Sequence, residues 1–154
     1  SLEAASEHPL ATAIMKKVTT EEIDYPSSTE FQALKGRGVT AKVDGEAAFV
    51  GSDRIAEDYE LPSNLRHQMQ ALQDAAKTVV VVGYAGQVIG LIAIQDTPKP
   101  SSASAIAALK ARGLKTVMLT GDNQRVADAI ARQVGIDQVI AGVSPNQKAE
   151  QVHR

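Results

Sequence analysis

The chain has 154 residues, which suits one ordinary domain or two small ones. It is 44% hydrophobic and 22% charged with a formal net charge of -2, a globular balance with no basic footprint for nucleic acid or acidic lipid. It has no cysteine, which excludes disulfides and thiolate metal sites, and no apolar run approaches the ~20 residues of a membrane-spanning helix.

Aromatics are few, so the core has to be built from Ala, Val, Ile and Leu. Leu2 to Ser6 reads as a short helix. Pro9 breaks it and opens another, with Leu10, Ile14, Met15 and Val18 at helical spacing. His8 then falls at the mouth of that helix beside Glu7, near free backbone N–H groups and with a flat ring to offer a planar ligand. The same corner serves equally as a plain helix-capping His-Pro junction.

Thr19 to Thr29 is polar and holds Pro26, so it reads as a loop. Phe31 to Lys35 and Val39 to Val43 read as strands joined by Gly36-Arg37-Gly38. Those glycines either admit a ligand to the backbone or mark a bulge or tight turn. Asp44-Gly45 is a two-residue hairpin signal, and Ala47 to Val50 returns to Gly51. Ser52 or Asp53 can cap a short helix to about Tyr59, and Ser63 a longer one to about Lys77. Thr78 to Val82 and Gln87 to Ile94 pair around Ala85-Gly86. Residues 1–95 therefore predict an antiparallel α+β domain.

The pattern changes at Asp96-Thr97-Pro98-Lys99-Pro100, a boundary or hinge. Ser101 to Arg112 reads as helix, Leu114 to Leu119 as a buried strand, and Asn123 to Val134 as helix ended by Gly135. Gln138 to Ala141 is a short strand, and Pro145 opens a last helix. That alternation predicts parallel βαβ units of a Rossmann-like sheet over 96–154. Thr120-Gly121-Asp122-Asn123 joins strand to helix, where open α/β sheets hold ligands. A hydroxyl and helix N-terminal N–H groups there can hold a phosphoryl group, or Asp122 or Asn123 simply caps the helix. Lys148, taken alone, is a solvated helix lysine.

Ser6-Glu7-His8-Pro9-Leu10 resembles the SEHPL signature of heavy-metal-transporting P-type ATPases, the copper and zinc/cadmium pumps. Further matches follow in the family's order, from Gly36-Arg37-Gly38 to Thr120-Gly121-Asp122-Asn123. The resemblance implies a nucleotide-binding domain over 1–95. It implies part of a haloacid-dehalogenase-like phosphorylation domain over 96–154. It implies an ATP site of Glu3, at the adenine edge, with Glu7, His8, Gly36, Gly38 and Gly51. Ser52 stands where the family has Asn, and its hydroxyl reaches less far. At the phosphoryl end it implies Thr120, Gly121 and Asp122, with Lys148 of a PxxK motif neutralising the transferred group.

The family's DKTGT aspartate and its GDGxND magnesium ligands have no match in the 154 residues. The resemblance thus implies ATP and ADP binding without hydrolysis here, with Mg2+ used in the full-length protein. It implies a monomeric cytoplasmic domain of an integral membrane protein, with the pump's other cytosolic and membrane domains as partners. Copper(I) is the first expectation and zinc/cadmium the alternative. A soluble phosphatase of the same superfamily needs a nucleophilic Asp in a DxD or DxT context, which Asp44, Asp53, Asp58, Asp74 and Asp96 lack. A regulatory domain that has lost ATP is opposed by Glu3, His8, Gly36, Gly38 and Gly51 occurring together.

Overall fold

Asp44 and Gly45 both take positive φ, 51° and 84°, as a two-residue hairpin turn requires. They fold β2 (Gly38–Val43) back onto β3 (Glu46–Gly51). Ala85 and Gly86, at 50° and 80°, do the same between β4 (Thr78–Tyr84) and β5 (Gln87–Ile94). With β1 (Ser28–Leu34) these make a five-stranded sheet in the order β1-β2-β3-β4-β5. The β1–β2 register slips between Thr29 and Gln32, where Glu30 also has positive φ. The computed structural model describes residues 1–5, 9–34 and 36–144.

Strand alternation gives this sheet two apolar faces. Ala41, Val43, Ala48, Val50 and Val80 cluster on one, with Leu2 from a 3-10 turn, Leu2–Ala5, against them. Phe49, Val81 and Val88 lie in the other cluster, with Ile55 of a second 3-10 turn, Ile55–Asp58. Leu65 and Met69 of α2 (Ser63–Asp74) pack there too. Phe49 sits directly opposite Gly83 in the β3–β4 register, and a Cβ on Gly83 would lie 2.0 Å from its ring. The glycine thus leaves room for the ring, which stacks on Tyr59 with centroids 4.0 Å apart.

Contacts divide the chain into two units, Ser1–Met69 with Val79–Ile94, and Gln70–Thr78 with Gln95–Arg154. In the second, β6 (Val117–Leu119) and β7 (Gln138–Ile140) pair in parallel. Parallel pairing needs a crossover, which α4 (Gln124–Val134) supplies. It buries Val126, Ala127, Ala129, Ala131 and Val134, and packs against α3 (Ser102–Ala111) and β7. Arg125 Nη1 donates to both carboxylate oxygens of Asp74 at 3.0 and 3.2 Å.

The expected buried strand Leu114 to Leu119 needs correction. Only Val117–Leu119 is strand, and Leu114 and Val117 are 54% and 53% exposed. Among the described residues β6 has β7 as its one strand neighbour, which leaves its other edge without a strand. The helices also run to other limits than expected. α1 (Pro9–Thr20) opens at Pro9 as predicted but continues through Thr19 and Thr20, whose hydroxyls donate back to Met15 O and Lys16 O. α2 stops at Asp74, short of Lys77. The expected helix after Ser52 is the single 3-10 turn Ile55–Asp58. The helix expected at Pro145 lies outside the described residues.

Asp137 ties the start of β7 to the residue before β6. Its Oδ2 accepts from Thr116 N at 3.0 Å and Thr116 Oγ1 at 2.9 Å, and its own N–H donates to Thr116 Oγ1. Lys110 Nζ lies 2.6 Å from Oδ1. Lys110 first, then the Thr116 N–H and hydroxyl, hold the carboxyl at about 2, down from its ordinary 3.8. A folded pKa below the unfolded one stabilises the fold above the unfolded value. That stabilisation is lost as pH falls from about 4 toward 2. Asp137→Asn is therefore expected to melt earlier than wild type at neutral pH and to lose less stability on acidification through this window. Melting curves at stepped pH check it; an unchanged acid slope would count against the pairing.

Candidate functional site

The loop Gly36-Arg37-Gly38 is held from behind by its own backbone. Arg37 N donates to Leu34 O, and Arg37 O accepts from Ser52 N, both at 2.9 Å. Ser52 Oγ also donates to Arg37 O, at 3.4 Å. Gly38 and Gly51 face each other in the β2–β3 register. A Cβ on Gly38 would lie 2.2 Å from Val50 O, and one on Gly51 2.3 Å from Arg37 O. These two glycines are therefore required by the chain's approach to itself. Gly36 differs: its φ is +72°, and a Cβ there would meet nothing within 4 Å. It bares a stretch of peptide to open space.

Glu3 is half-buried in the turn Leu2–Ala5, which packs on β1, β2 and β3. Glu7 and His8 lie outside the described residues, immediately before Pro9 of α1. Gly36, Gly38, Gly51 and Ser52 thus meet at one end of the β2–β3 pair. The Ser52 hydroxyl spends its proton on Arg37, so toward a ligand it offers lone pairs.

In the second unit Thr120-Gly121-Asp122-Asn123 leaves the C-terminal end of β6 and enters α4. Thr120 N donates to Ile140 O at 3.0 Å, Val143 N to Thr120 O at 3.0 Å, and Gly142 N to Asp122 O at 2.8 Å. The loop is thereby pinned to the segment after β7. Asn123 is the N-cap, its Oδ1 accepting from Val126 N. Asp122 bonds elsewhere: its Oδ2 accepts from Thr120 Oγ1 at 2.9 Å, and its N–H donates to that hydroxyl at 3.1 Å. A phosphoryl oxygen would have to draw the hydroxyl proton away from the Asp122 carboxylate, at a cost of about 2 kcal/mol for one hydrogen bond to a charged acceptor.

Lys148 lies outside the described residues. Among the described residues no three His, Asp or Glu side chains gather as a metal ion would require. A hollow of about 410 Å³, lined by Lys110, Leu114, Lys115 and Asp137 among others, lies at the other ends of β6 and β7. Sequence reading missed two features, the Asp137 network and a pairing of the Arg37 side chain with Asp58. Both join residues 21 apart through chain folding, and no local spacing announces either.

The family model of the haloacid dehalogenase-like hydrolases matches residues 1–154. The copper-exporting P-type ATPase of Staphylococcus haemolyticus is 41% identical over 153 residues, 99% of this chain and 19% of that protein. A crystal structure of a zinc-transporting PIB-type ATPase in the E2.Pi state is 37% identical with a TM-score of 0.62, over 98% of this chain and 24% of that one. The N-domain of HMA8, a copper-transporting P-type ATPase, is 31% identical with a TM-score of 0.52, over 61% of this chain and 82% of that one. The chain belongs to the haloacid dehalogenase-like hydrolases, and within them it is part of a heavy-metal P-type ATPase. It spans about a fifth of the length of the curated relatives it matches. Among the described residues no helix is long and apolar enough to cross a membrane.

Proposed function

We propose that this chain binds ATP for a copper-exporting pump, as a nucleotide-binding domain over 1–95 followed by part of a phosphorylation domain over 96–154. The bare peptide at Gly36, on a loop braced by Ser52 and Gly51, is the observation that carries this reading. A loop fixed on one side and open on the other lets a nucleotide come within contact distance of backbone. Glu3 accepts a hydrogen bond from the adenine amino group. Glu7 and His8 complete the base site, and Gly36, Gly38, Gly51 and Ser52 line its floor. At the phosphoryl end the Thr120 hydroxyl, Gly121 and the α4 N-terminus meet the oxygens of the transferred group. Lys148 neutralises its charge while Asp122 orients the hydroxyl.

Copper is favoured because the Staphylococcus pump and HMA8 carry that name. The zinc-transporting structure supports the zinc/cadmium alternative. On this reading the chain works on the cytoplasmic side of a membrane pump, with the pump's remaining domains as partners and magnesium held by residues outside these 154.

Phosphoryl transfer needs a nucleophile, and the sequence holds no DKTGT aspartate. The expected result is saturable heat on titration with ATP or ADP and no steady phosphate release. Steady release from ATP that disappears in Asp122→Asn would refute the second half. Hydrolysis of a model phosphomonoester without ATP binding would favour a soluble phosphatase instead.

A further inference from the structure

We propose that Asp58 is a positioning residue for the Gly36–Gly38 loop, acting through the Arg37 guanidinium; this rests on the nucleotide reading above. The loop has glycine on both sides of Arg37, at φ +72° and +146°; Gly38 is locked between Leu34 and Gly51 in the sheet, whereas Gly36 stands open and is free to move unless something fixes it. Backbone hydrogen bonds hold Arg37 to Leu34 and Ser52 on one side only. The side chain supplies a second hold. Arg37 Nη2 donates to Arg54 O at 3.2 Å and pairs with the Asp58 carboxylate.

Asp58 can act as a fixed post because of what lies beneath it. It ends the 3-10 turn Ile55–Asp58, whose first residue, Ile55, is 1% exposed. Ile55 packs in the cluster of Phe49 and Val81, and its side-chain carbons would stand 3.0 Å from a Cβ on Gly51. The turn is therefore rooted in the core under the same glycine pair that sets the loop. The Arg37–Asp58 pair carries that rigidity outward to a segment that has no core residue of its own.

The pair itself adds little to folding stability. Its side chains are 39% and 54% exposed, and solvent screens such contacts. Its effect is on the distribution of loop conformations. Freed of Asp58, the loop spreads over several, and apparent affinity falls by the fraction that remains competent to bind.

The test uses Asp58→Ala, Arg37→Ala, the double variant and Asp58→Glu. Each is titrated with ATP, melted, and examined by the amide NMR signals of Gly36 and Gly38 without nucleotide. The expected result is an affinity loss of about fivefold in each alanine single variant, with melting temperature unchanged. The double variant should lose no more than either single one, since the two residues act as a unit. Asp58→Glu should recover most of the loss, and the two glycine amides should shift or broaden in Asp58→Ala. ATP affinity within twofold of wild type in both single variants overturns the proposal, as does a gain in affinity from a released Arg37. Unchanged glycine amides in both overturn it without reference to ATP. A wild type that binds no ATP, with the amides still responding to Asp58→Ala, refutes the nucleotide reading and leaves the clamp standing.

Discussion

Gly38→Ala is expected to cost the first unit about 3 kcal/mol or more, whereas Gly36→Ala should stay folded and lose nucleotide affinity. At Gly38 the new methyl would stand 2.2 Å from Val50 O and 2.4 Å from the Gly51 Cα, both backbone atoms. Neither can rotate away, so β2 and β3 must separate at their Gly38–Gly51 end. Separation also breaks the Ser52 N to Arg37 O bond and lifts Gly51 from Ile55. At Gly36 the methyl enters open space. Its cost is the left-handed backbone alone, roughly 1–2 kcal/mol. The same methyl stands where a nucleotide would lie against the peptide, and a roughly tenfold loss of ATP affinity is expected from that lost contact. Urea melts and ATP titrations of both variants check this. Equal loss of stability in the two would show that the open side of the loop is not open, and full affinity in Gly36→Ala would remove the loop from the site.

Those two glycines show how far the sequence can be read. Gly36-Arg37-Gly38 is visible as a motif, but the motif does not say that one glycine bares the chain and the other lets strands touch. That distinction depends on Gly51, thirteen positions away from Gly38 and brought opposite it by the Asp44-Gly45 turn. The helix ends teach the same lesson. Among the described residues, each of the four α-helices is followed within two residues of its last turn by a residue with positive φ. For α3 and α4 these are Gly113 and Gly135, and those ends are plain in the sequence. α1 and α2 use Glu22 and Ala76, at 51° and 59°. Ile23 N to Val18 O and Lys77 N to Leu72 O close the same wrap-around hydrogen bond there. An L residue in that conformation gives no local signal, so the ends are misplaced by two or three positions.

The Thr120 loop was legible in position and not in bonding. Strand, loop and helix in that order set it at the C-terminal end of β6, where a parallel pair opens. Two residues could cap α4, and only geometry chooses Asn123. The choice leaves Asp122 free of the cap, and its carboxylate accepts from the Thr120 hydroxyl instead.

His8→Ala is expected to weaken ATP by about tenfold or more and leave the fold as it is. In the sequence His8 follows Glu7 and directly precedes Pro9, the first residue of α1. Stacking of a base on an aromatic side chain is worth ~1–3 kcal/mol in nucleic-acid sites, and 1.4 kcal/mol is tenfold in affinity. The competing role is helix capping. Histidine is not among the favoured capping residues, which place a side-chain oxygen over the second or third N–H of the helix. ADP should lose as much as ATP, because both present adenine. His8→Gln keeps a hydrogen-bonding amide and gives up the flat ring, so it should lose affinity too. Capping predicts the reverse pattern: a lower melting temperature in His8→Ala, near-normal affinity, and recovery in His8→Asn, whose carboxamide oxygen is a good cap. NMR titrations with both nucleotides, run beside melting curves, separate the two. Affinity unchanged for ATP and ADP alike would take the ring out of the base site and leave Glu3 and the Gly36 loop to hold the nucleotide.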